Sequence, residues 1–511
     1  MLPAATQAHP AAAALRVPSR LQGLCDRRVD VIGVGSVEGG EMAHFLLAAG
    51  FTRVVGHDLS PDLSELARAH RLAHAGLGAE AARERLESLL AGLAELQLGD
   101  RYLEGVSESS LVVPTQAWFL HPRNRELHQL RDRGVPFYSL IQAYLDLCRG
   151  PVVGVTGSHG KSTTSALVAR GLRALAPVVW LAGNDRHNQQ ALQAVSRDEA
   201  GQGWLVLEIS NRQLLQMDRA PRVGCITNIT PNHLDEHGGM DAYVACKRRL
   251  YELPGCAVGV RNADDPVSWA AGPLPRGVRQ VVFAREEAAL GESDGCFEED
   301  GWAVVRRGKE RQAVLELGGL RLPGQHNRAN VRAALALLTA LDEVRWPALP
   351  GAARALADLR PLPHRIQLVW QQGGVDYFDD LSSTTPQSTV AAVRTLAREV
   401  VLICGGDDKA IPFDELAGLV GREVRQVLLL PGTGSARLLA AVRRSGGGAL
   451  VREMGSLEAA VDAARSLARP GDAVLLSPAC PGFFSAHYGA GGYRRALRSG
   501  VTSPRPRRGP G

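Results

Sequence analysis

The sequence predicts an α/β chain of three domains, each built on a largely parallel sheet. Three observations carry this prediction. The chain has 511 residues, more than one ordinary core accommodates. Short apolar, β-branched runs alternate with stretches of helical periodicity along most of its length. Glycine-rich turns stand between such a run and the helical stretch after it.

Hydrophobic residues make up 45% of the chain and charged residues 22%, the balance of a soluble globular protein. No apolar run approaches the ~18 residues that a membrane span needs. The opening "MLPAATQAHPAAAALRVPSR" lacks a basic start and an apolar core, so residues 1–24 are expected to form a loose extension. Eight cysteines are scattered without a C-x-x-C pair, which points to reduced thiols in a cytoplasm and excludes a disulfide framework or a zinc ribbon. The net charge of +5 is carried partly by the Pro-, Gly- and Arg-rich end, residues 498–511, expected to be a disordered, solvated tail. No interleaving of basic and aromatic residues marks a nucleic-acid surface.

In chain order, "RRVDVIGVGSVEGGEMAHFLLAAGFTRVVGHDLS" gives a strand, a Gly-rich turn, an amphipathic helix and a second strand ending at Asp58. That is the first βαβ unit of a nucleotide-binding half, of Rossmann-like type. Its fingerprint is imperfect: Glu38 stands where the third glycine is expected, and Gly39 follows. Residues 61–100 read as helical, and "SSLVVPT" as another strand. The first domain is placed at 1–149.

The second domain, 150–361, begins with "PVVGV", a buried parallel strand, followed by "TGSHGKSTTSAL". Glycines on a strand-to-helix turn let backbone N–H groups of Gly157, Ser158, His159, Gly160 and Lys161 face an anion, and the Lys161 ammonium can reach outer phosphates. Ser162 is placed to ligate Mg²⁺, with Thr163 beside it. The strict G-x-x-x-x-G-K-[ST] pattern fails, because Val155 occupies its first position. Further strands, "GWLVLEIS", "VGCITNIT", "GCAVGV" and "RQVVFA", alternate with helices and lead to a long helix in "PGQHNRANVRAALALLTAL". The third domain, 362–511, repeats the alternation with "VDYFDD", "VVLICGG", "QVLLLPG" and "DAVLLSPAC" as strands.

Polar residues collect at the carboxyl ends of the middle strands, where open parallel sheets bind ligands. Glu208 ends one strand, and His233 and Asp235 follow the next. A carboxylate and an imidazole beside a phosphate loop can hold Mg²⁺. Only four residues are lysine, Lys161, Lys247, Lys309 and Lys409, against 58 Lys and Arg together. A chain that uses arginine almost everywhere keeps lysine where a compact primary amine is required. Lys309, in "RRGKERQ", reads as a surface turn.

"GVTGSHGKSTT", "LEISNRQL", "TNITPNHLDEHGGMDAYVACKRRLY", "LPGQHNRANVRAALAL", "LPHRIQ", "DYFDDLSSTTPQST", "GGDDKAIPF" and "LLSPAC" stand in the order and spacing of the Mur ligases. The chain resembles that family over Pro151 to Cys480, nearest to the type that joins glutamate to UDP-N-acetylmuramoyl-L-alanine. The resemblance implies a UDP-sugar-binding first domain, a central ATP-binding domain and a C-terminal domain. It implies that residues 157–163 cradle ATP, with Asn327, Asn330, Arg365 and Asp380 around adenine, ribose and γ-phosphate. Ser162, Glu208, His233 and Lys247 would serve two Mg²⁺ ions, Lys247 as its carbamate, and Lys161, Glu208, His233 and Lys247 would be catalytic. Asp58 would meet the uracil end of the sugar nucleotide and Asn184 the substrate, while Thr384 and Lys409 would meet the incoming amino acid. The implied activity is ATP-dependent amide ligation through an acyl phosphate, by a cytoplasmic monomer of peptidoglycan precursor synthesis.

Past "SPAC" the family's Ser position holds Gly482, its R-G-x-x-F-like ending is absent, and "DDLSSTTPQST" lacks the usual lysine. These departures leave D- and L-glutamate both open. The alternatives are another Mur-like or folylpolyglutamate-type amino acid ligase with a different acceptor, or an inactive nucleotide-binding relative.

Overall fold

The computed structural model of the chain describes residues 14–74, 76–184, 190–408, 411–481 and 492–499. Among these residues there are three sheets, and the strands of each fall within one of the three expected segments.

The first sheet contains β1 (Val29–Ile32), β2 (Val54–Asp58), β3 (Glu95–Leu98) and β4 (Leu111–Val113), all parallel, in the order β3-β2-β1-β4. β1 is buried along its whole length, Asp30 included, as a strand covered on both faces is. The stretch 61–100 is not helical throughout. Helices Leu63–Ala73 and Ala79–Gly92 are followed by β3, an edge strand whose half-exposed side chains lack the apolar run of a central strand.

The middle sheet contains β5 (Val152–Thr156), β6 (Val179–Gly183), β7 (Trp204–Glu208), β8 (Val223–Ile226), β9 (Val258–Asn262), β10 (Arg279–Phe283), β11 (Asp294–Glu299), β12 (Trp302–Arg307) and β13 (Glu310–Glu316). Their order is β13-β12-β11-β10-β9-β8-β5-β7-β6; the pairings of β12 with β11 and with β13 are antiparallel, so β12 alone runs against the other strands. The chain winds from β5 outward to β6, returns through β7 and leaves on the other side of β5 at β8. Loops beyond the carboxyl end of β5 therefore diverge and open a crevice.

The third sheet contains β14 (Gln367–Gln372), β15 (Val375–Asp379), β16 (Val400–Cys404), β17 (Val424–Leu429), β18 (Val451–Glu453) and β19 (Ala473–Leu476). The order is β14-β15-β19-β16-β17-β18, with β14 antiparallel to β15 and the rest parallel.

The cores join the bodies unequally. One apolar cluster runs from the first sheet, through Val31, Phe45 and Tyr144, into the middle sheet at Leu205, Leu207 and Ile226. The opposite face of the middle sheet packs on helices Lys161–Arg173, Gln325–Ala340 and Leu349–Ala357. The two faces of the third sheet each close over residues of that body alone.

The expected loose extension is docked over its described part. Leu21 is fully buried, and the Arg16 guanidinium donates to the carbonyls of Leu147 (2.7 Å), Ser196 (2.9 Å) and Val195 (3.0 Å). Four backbone carbonyls around one guanidinium fix a segment whose composition alone looked unstructured. At the other end, residues 498 and 499 of the expected tail belong to the helix Gly492–Ser499, and the rest lies outside the described residues.

Candidate active site

The turn between β5 and the helix Lys161–Arg173 is shaped by two glycines. Gly157 has φ 146°, and a Cβ there would lie 2.0 Å from Thr227 Oγ1. Gly160, the helix N-cap, has φ 81°, and a Cβ would lie 2.3 Å from Asn330 Oδ1. Both positions require glycine for conformation and for space. The cradle is narrower than the sequence suggested, because Ser158 N donates to Asn228 O (2.9 Å) and His159 N to Asn228 Oδ1 (3.0 Å). These two amides secure the turn to the loop after β8. The place left for an anion is the turn's helical end, where the macrodipole would add to its attraction. Lys161 Nζ donates back to the carbonyls of Gly157 and Ser158, both at 3.0 Å, so its ammonium lies over the turn.

A cavity of about 460 Å³ opens on this turn. Its walls include Ser158, His159, Gly160, Lys161 and Thr163, with His233 from the loop after β8. Asn327 and Asn330 enter from the helix Gln325–Ala340, and Arg365, Asp380 and Thr384 from the third body. The volume lies within the range of small-molecule sites, roughly 300–1,000 Å³. Asn330 Nδ2 donates to Asn327 Oδ1 (3.1 Å), and Thr164 Oγ1 to Asn330 Oδ1 (3.3 Å), which ties that helix to the phosphate turn. Arg365 Nη2 donates to Ser162 Oγ (3.0 Å), and Ser388 Oγ lies 3.2 Å from His159 Nδ1. Two bodies thus share one pocket. Asp380 is fully buried, and burial pushes its carboxyl up to about 7 although Ser383, Ser477, Ile366 N and Arg365 favour the ionised form.

Behind the turn lies a second group. Lys247, on the helix Met240–Glu252, is 1% exposed, and its Nζ donates to Thr156 Oγ1 (3.0 Å) at the end of β5. Burial lowers its pKa far below the ordinary value, Lys161 adds to the shift, and Cys246 and Glu208 oppose it. Glu208 ends β7 in register with Val155 of β5 and is 3% exposed. Its Oε1 accepts from Asn184 Nδ2 (3.0 Å), while its buried Oε2 has no partner among the described residues. Buried carboxylate oxygens without a donor are rare and call for an absent cation or water. His233 has φ 55° and caps the short helix Leu234–His237. Its Nδ1 donates to Glu236 Oε1 (2.7 Å), which in the neutral ring puts the lone pair on Nε2. Burial disfavours ionisation of Glu236, but His233 and Arg212 outweigh it and hold the carboxyl well below the usual range. Among the described residues no three His, Cys, Asp or Glu side chains form a ready cation cluster. The expected set uses a serine hydroxyl and a lysine in place of further carboxylates.

The remaining expected residues lie elsewhere. Asp58, at the carboxyl end of β2, accepts from Gly35 N (3.0 Å), Ser60 N (3.0 Å) and Ser60 Oγ (2.8 Å), bracing the Gly-rich turn of the first body. That turn also explains the displaced fingerprint. A Cβ on Gly39 would lie 2.3 Å from Gly33 O, so the close helix–turn approach occurs at Gly39, and Glu38 is available for another contact. Asn184 lies beside Glu208, and Lys409 lies outside the described residues.

Residues 155–338 match the family described as Mur ligase middle domain, and residues 364–480 match Mur ligase, glutamate ligase domain. The UDP-N-acetylmuramoylalanine–D-glutamate ligase of Symbiobacterium thermophilum is 36% identical over 406 residues, covering 78% of this chain and 86% of the relative. The chain belongs to the Mur ligases. The enzyme of the same name from Caldanaerobacter subterraneus is 29% identical over 464 residues, 89% of this chain and 94% of that one. The UDP-N-acetylmuramate–alanine ligase of Thermotoga maritima superposes with a TM-score of 0.58 at 16% identity, over 92% of this chain and 98% of that one. A pseudomurein peptide ligase type C from Methanothermus fervidus gives 0.55 at 18% identity, over 93% and 100%. These two likenesses establish a shared fold. In this Mur ligase, sequence reasoning missed Asn228, Tyr243, whose hydroxyl lies 3.1 Å from Ser158 Oγ, and Gln116, whose Nε2 donates to Asn184 Oδ1 (3.0 Å). Asn228 and Tyr243 stand inside quoted motifs, so the strand-end rule that singled out His233 could have found Asn228. Gln116 carries no signal of its own.

Proposed function

We propose that this Mur ligase joins D-glutamate to UDP-N-acetylmuramoyl-L-alanine at the expense of ATP, as a monomer in the cytoplasm, in peptidoglycan precursor synthesis. The observation that carries the reading is the single cavity lined by the phosphate turn, Asn327 and Asn330 of the middle body and Arg365 and Asp380 of the third. The names of the relatives at 36% and 29% identity supply the acceptor and favour the D isomer.

In this reading residues 1–149 take the UDP sugar, with Asp58 near the uracil end. Residues 150–361 hold ATP, and 362–511 bring the amino acid, with Thr384 and Lys409 toward its carboxylates. The acceptor carboxylate oxygen attacks the γ-phosphorus, the bond to ADP breaks, and an acyl phosphate forms. The glutamate amine then attacks the acyl carbon, phosphate leaves, and the nitrogen loses a proton. Lys161 and the helix end behind Gly160 hold the transferring phosphoryl oxygens, and Arg365 adds a guanidinium from the opposite wall. Closure of the third body over the cavity excludes water from the acyl phosphate.

The partnerless Oε2 of Glu208 fits a divalent cation. Ser162, Glu208, His233 and a carbamylated Lys247 would hold two Mg²⁺, whose chemistry is to neutralise charge on phosphoryl oxygens. Lys247 suits carbamylation because burial favours the uncharged form of its amine. The neutral nitrogen bonds to the carbon of CO₂, one C–O π pair moves to oxygen, and a proton leaves, which no guanidinium can match.

Phosphate release from ATP, measured with UDP-N-acetylmuramoyl-L-alanine and with D- or L-glutamate offered separately, tests the reading. Release with D-glutamate alone is expected. Release with L-glutamate alone reverses the isomer, and none with either overturns the acceptor.

A further inference from the structure

Among the described residues, Glu208 receives its one hydrogen-bond donor from a chain of side chains that starts in the first body. Asn184 Nδ2 donates to Glu208 Oε1 (3.0 Å), and Asn184 Oδ1 accepts from Gln116 Nε2 (3.0 Å). The second bond decides which way the Asn184 amide faces, since its oxygen must meet Gln116 and its nitrogen is left for Glu208. Gln116 is oriented in turn. Its Oε1 accepts from Ser210 Oγ (2.6 Å), and its backbone N donates to Glu38 Oε2 (2.6 Å). Glu38 Oε1 accepts from Gln213 Nε2 (2.5 Å), and Gln213 Oε1 accepts from Ser210 N (3.0 Å). Each amide in this path thus has one orientation that satisfies its neighbours. Its end product is a Glu208 carboxylate with Oε1 occupied and Oε2 open.

Gln116 and Glu38 come from the elements that frame the first body's Gly-rich turn. Gln116 follows β4 by three residues, next to Thr115, whose Cγ2 would be 2.6 Å from a Cβ on Gly33. Glu38 is in the first turn of the helix Val37–Ala48, at the place where a nucleotide fingerprint has its third glycine. Neither touches the cavity on the phosphate turn.

We propose that Gln116, held by Glu38, is a positioning residue for the cation site: it orients Asn184 so that Glu208 presents Oε2, and so makes cation binding in the middle body depend on the first body's seating. The inference rests on the functional reading in one respect, that Glu208 is a cation ligand. Outer partners of metal ligands typically contribute about 10- to 100-fold in affinity.

Mn²⁺ binding in the presence of ADP, followed by the loss of free Mn²⁺ resonance, reads the site without turnover. In Gln116→Ala and in Gln116→Met, which keeps the side-chain length, the Mn²⁺ dissociation constant is expected to rise about tenfold or more. ADP affinity in the absence of metal should stay within about twofold. Adding Asn184→Ala to either variant should then cost little more, because both changes break one path. Unchanged Mn²⁺ binding in both Gln116 variants overturns the positioning role and leaves the functional reading standing. Additive losses from Gln116 and Asn184 also overturn it, since independent contacts add. Absence of Mn²⁺ binding in the parent protein overturns the cation reading of Glu208 and the inference with it.

Discussion

Lys247 shows how much one side chain can say before any coordinates exist, and what it leaves open. Its lone amine beside Arg248 and Arg249 already implied a task that arginine cannot perform. The structure adds full burial next to Lys161 and a hydrogen bond to Thr156 at the end of β5. The lowered pKa has a consequence for stability. The folded chain binds fewer protons than the unfolded chain between the depressed value and the ordinary 10.5, so stability rises with pH across that window. Lys247→Met removes this penalty. In CO₂-free buffer its unfolding midpoint is expected to exceed the parent's near neutral pH, and the gap to close as pH rises toward the ordinary lysine value. A gap that is constant with pH would mean that the amine carries no such penalty.

At the scale of elements, the central strands were legible because each is a short, largely apolar run, and burial on both faces demands that composition. The strands at the antiparallel end of the middle sheet were not. β11, β12 and β13 carry charged residues at their ends around a short apolar stretch, and their pattern blends with surface loop. The turn Asp300–Gly301, with both φ angles positive, was the signal that could have found that meander. Caps act at the same scale. Thr385 begins the helix Pro386–Leu396, which carries Ser388 toward His159, and its Oγ1 accepts from Ser388 N (3.4 Å). Thr385→Ala is expected to cost about 1 kcal/mol, read from a urea midpoint. The same change should weaken ATP binding severalfold, because the Ser388–His159 contact across the pocket loses its anchor; unaltered nucleotide affinity would show that this contact is incidental.

Across the whole molecule, the three bodies differ in what joins them. The first shares an apolar cluster with the middle sheet, whereas the third meets the middle body through polar contacts such as Arg365–Ser162 and Ser388–His159. Apolar burial is the larger and less reversible tie, and polar contacts around a wet cleft exchange readily for water. A chain ended after residue 361 is therefore expected to unfold cooperatively. Residues 1–149 alone are expected to bind a hydrophobic dye, their side of the shared core being uncovered; a cooperative, dye-silent transition for that fragment would contradict the joint core. The sequence by itself determined the alternation of strands and helices, the phosphate turn, the candidate ligands at strand ends and the family, because these follow from local periodicity, from glycine's special backbone and from the order of short motifs. Only the tertiary structure decided that Ser158 and His159 give their amides to Asn228, that Arg365 crosses to Ser162, and that Glu38 and Gln116 reach Glu208 through Asn184. Those contacts join residues tens to hundreds of positions apart, and no local pattern encodes which distant partner a polar side chain will meet once the sheets have packed.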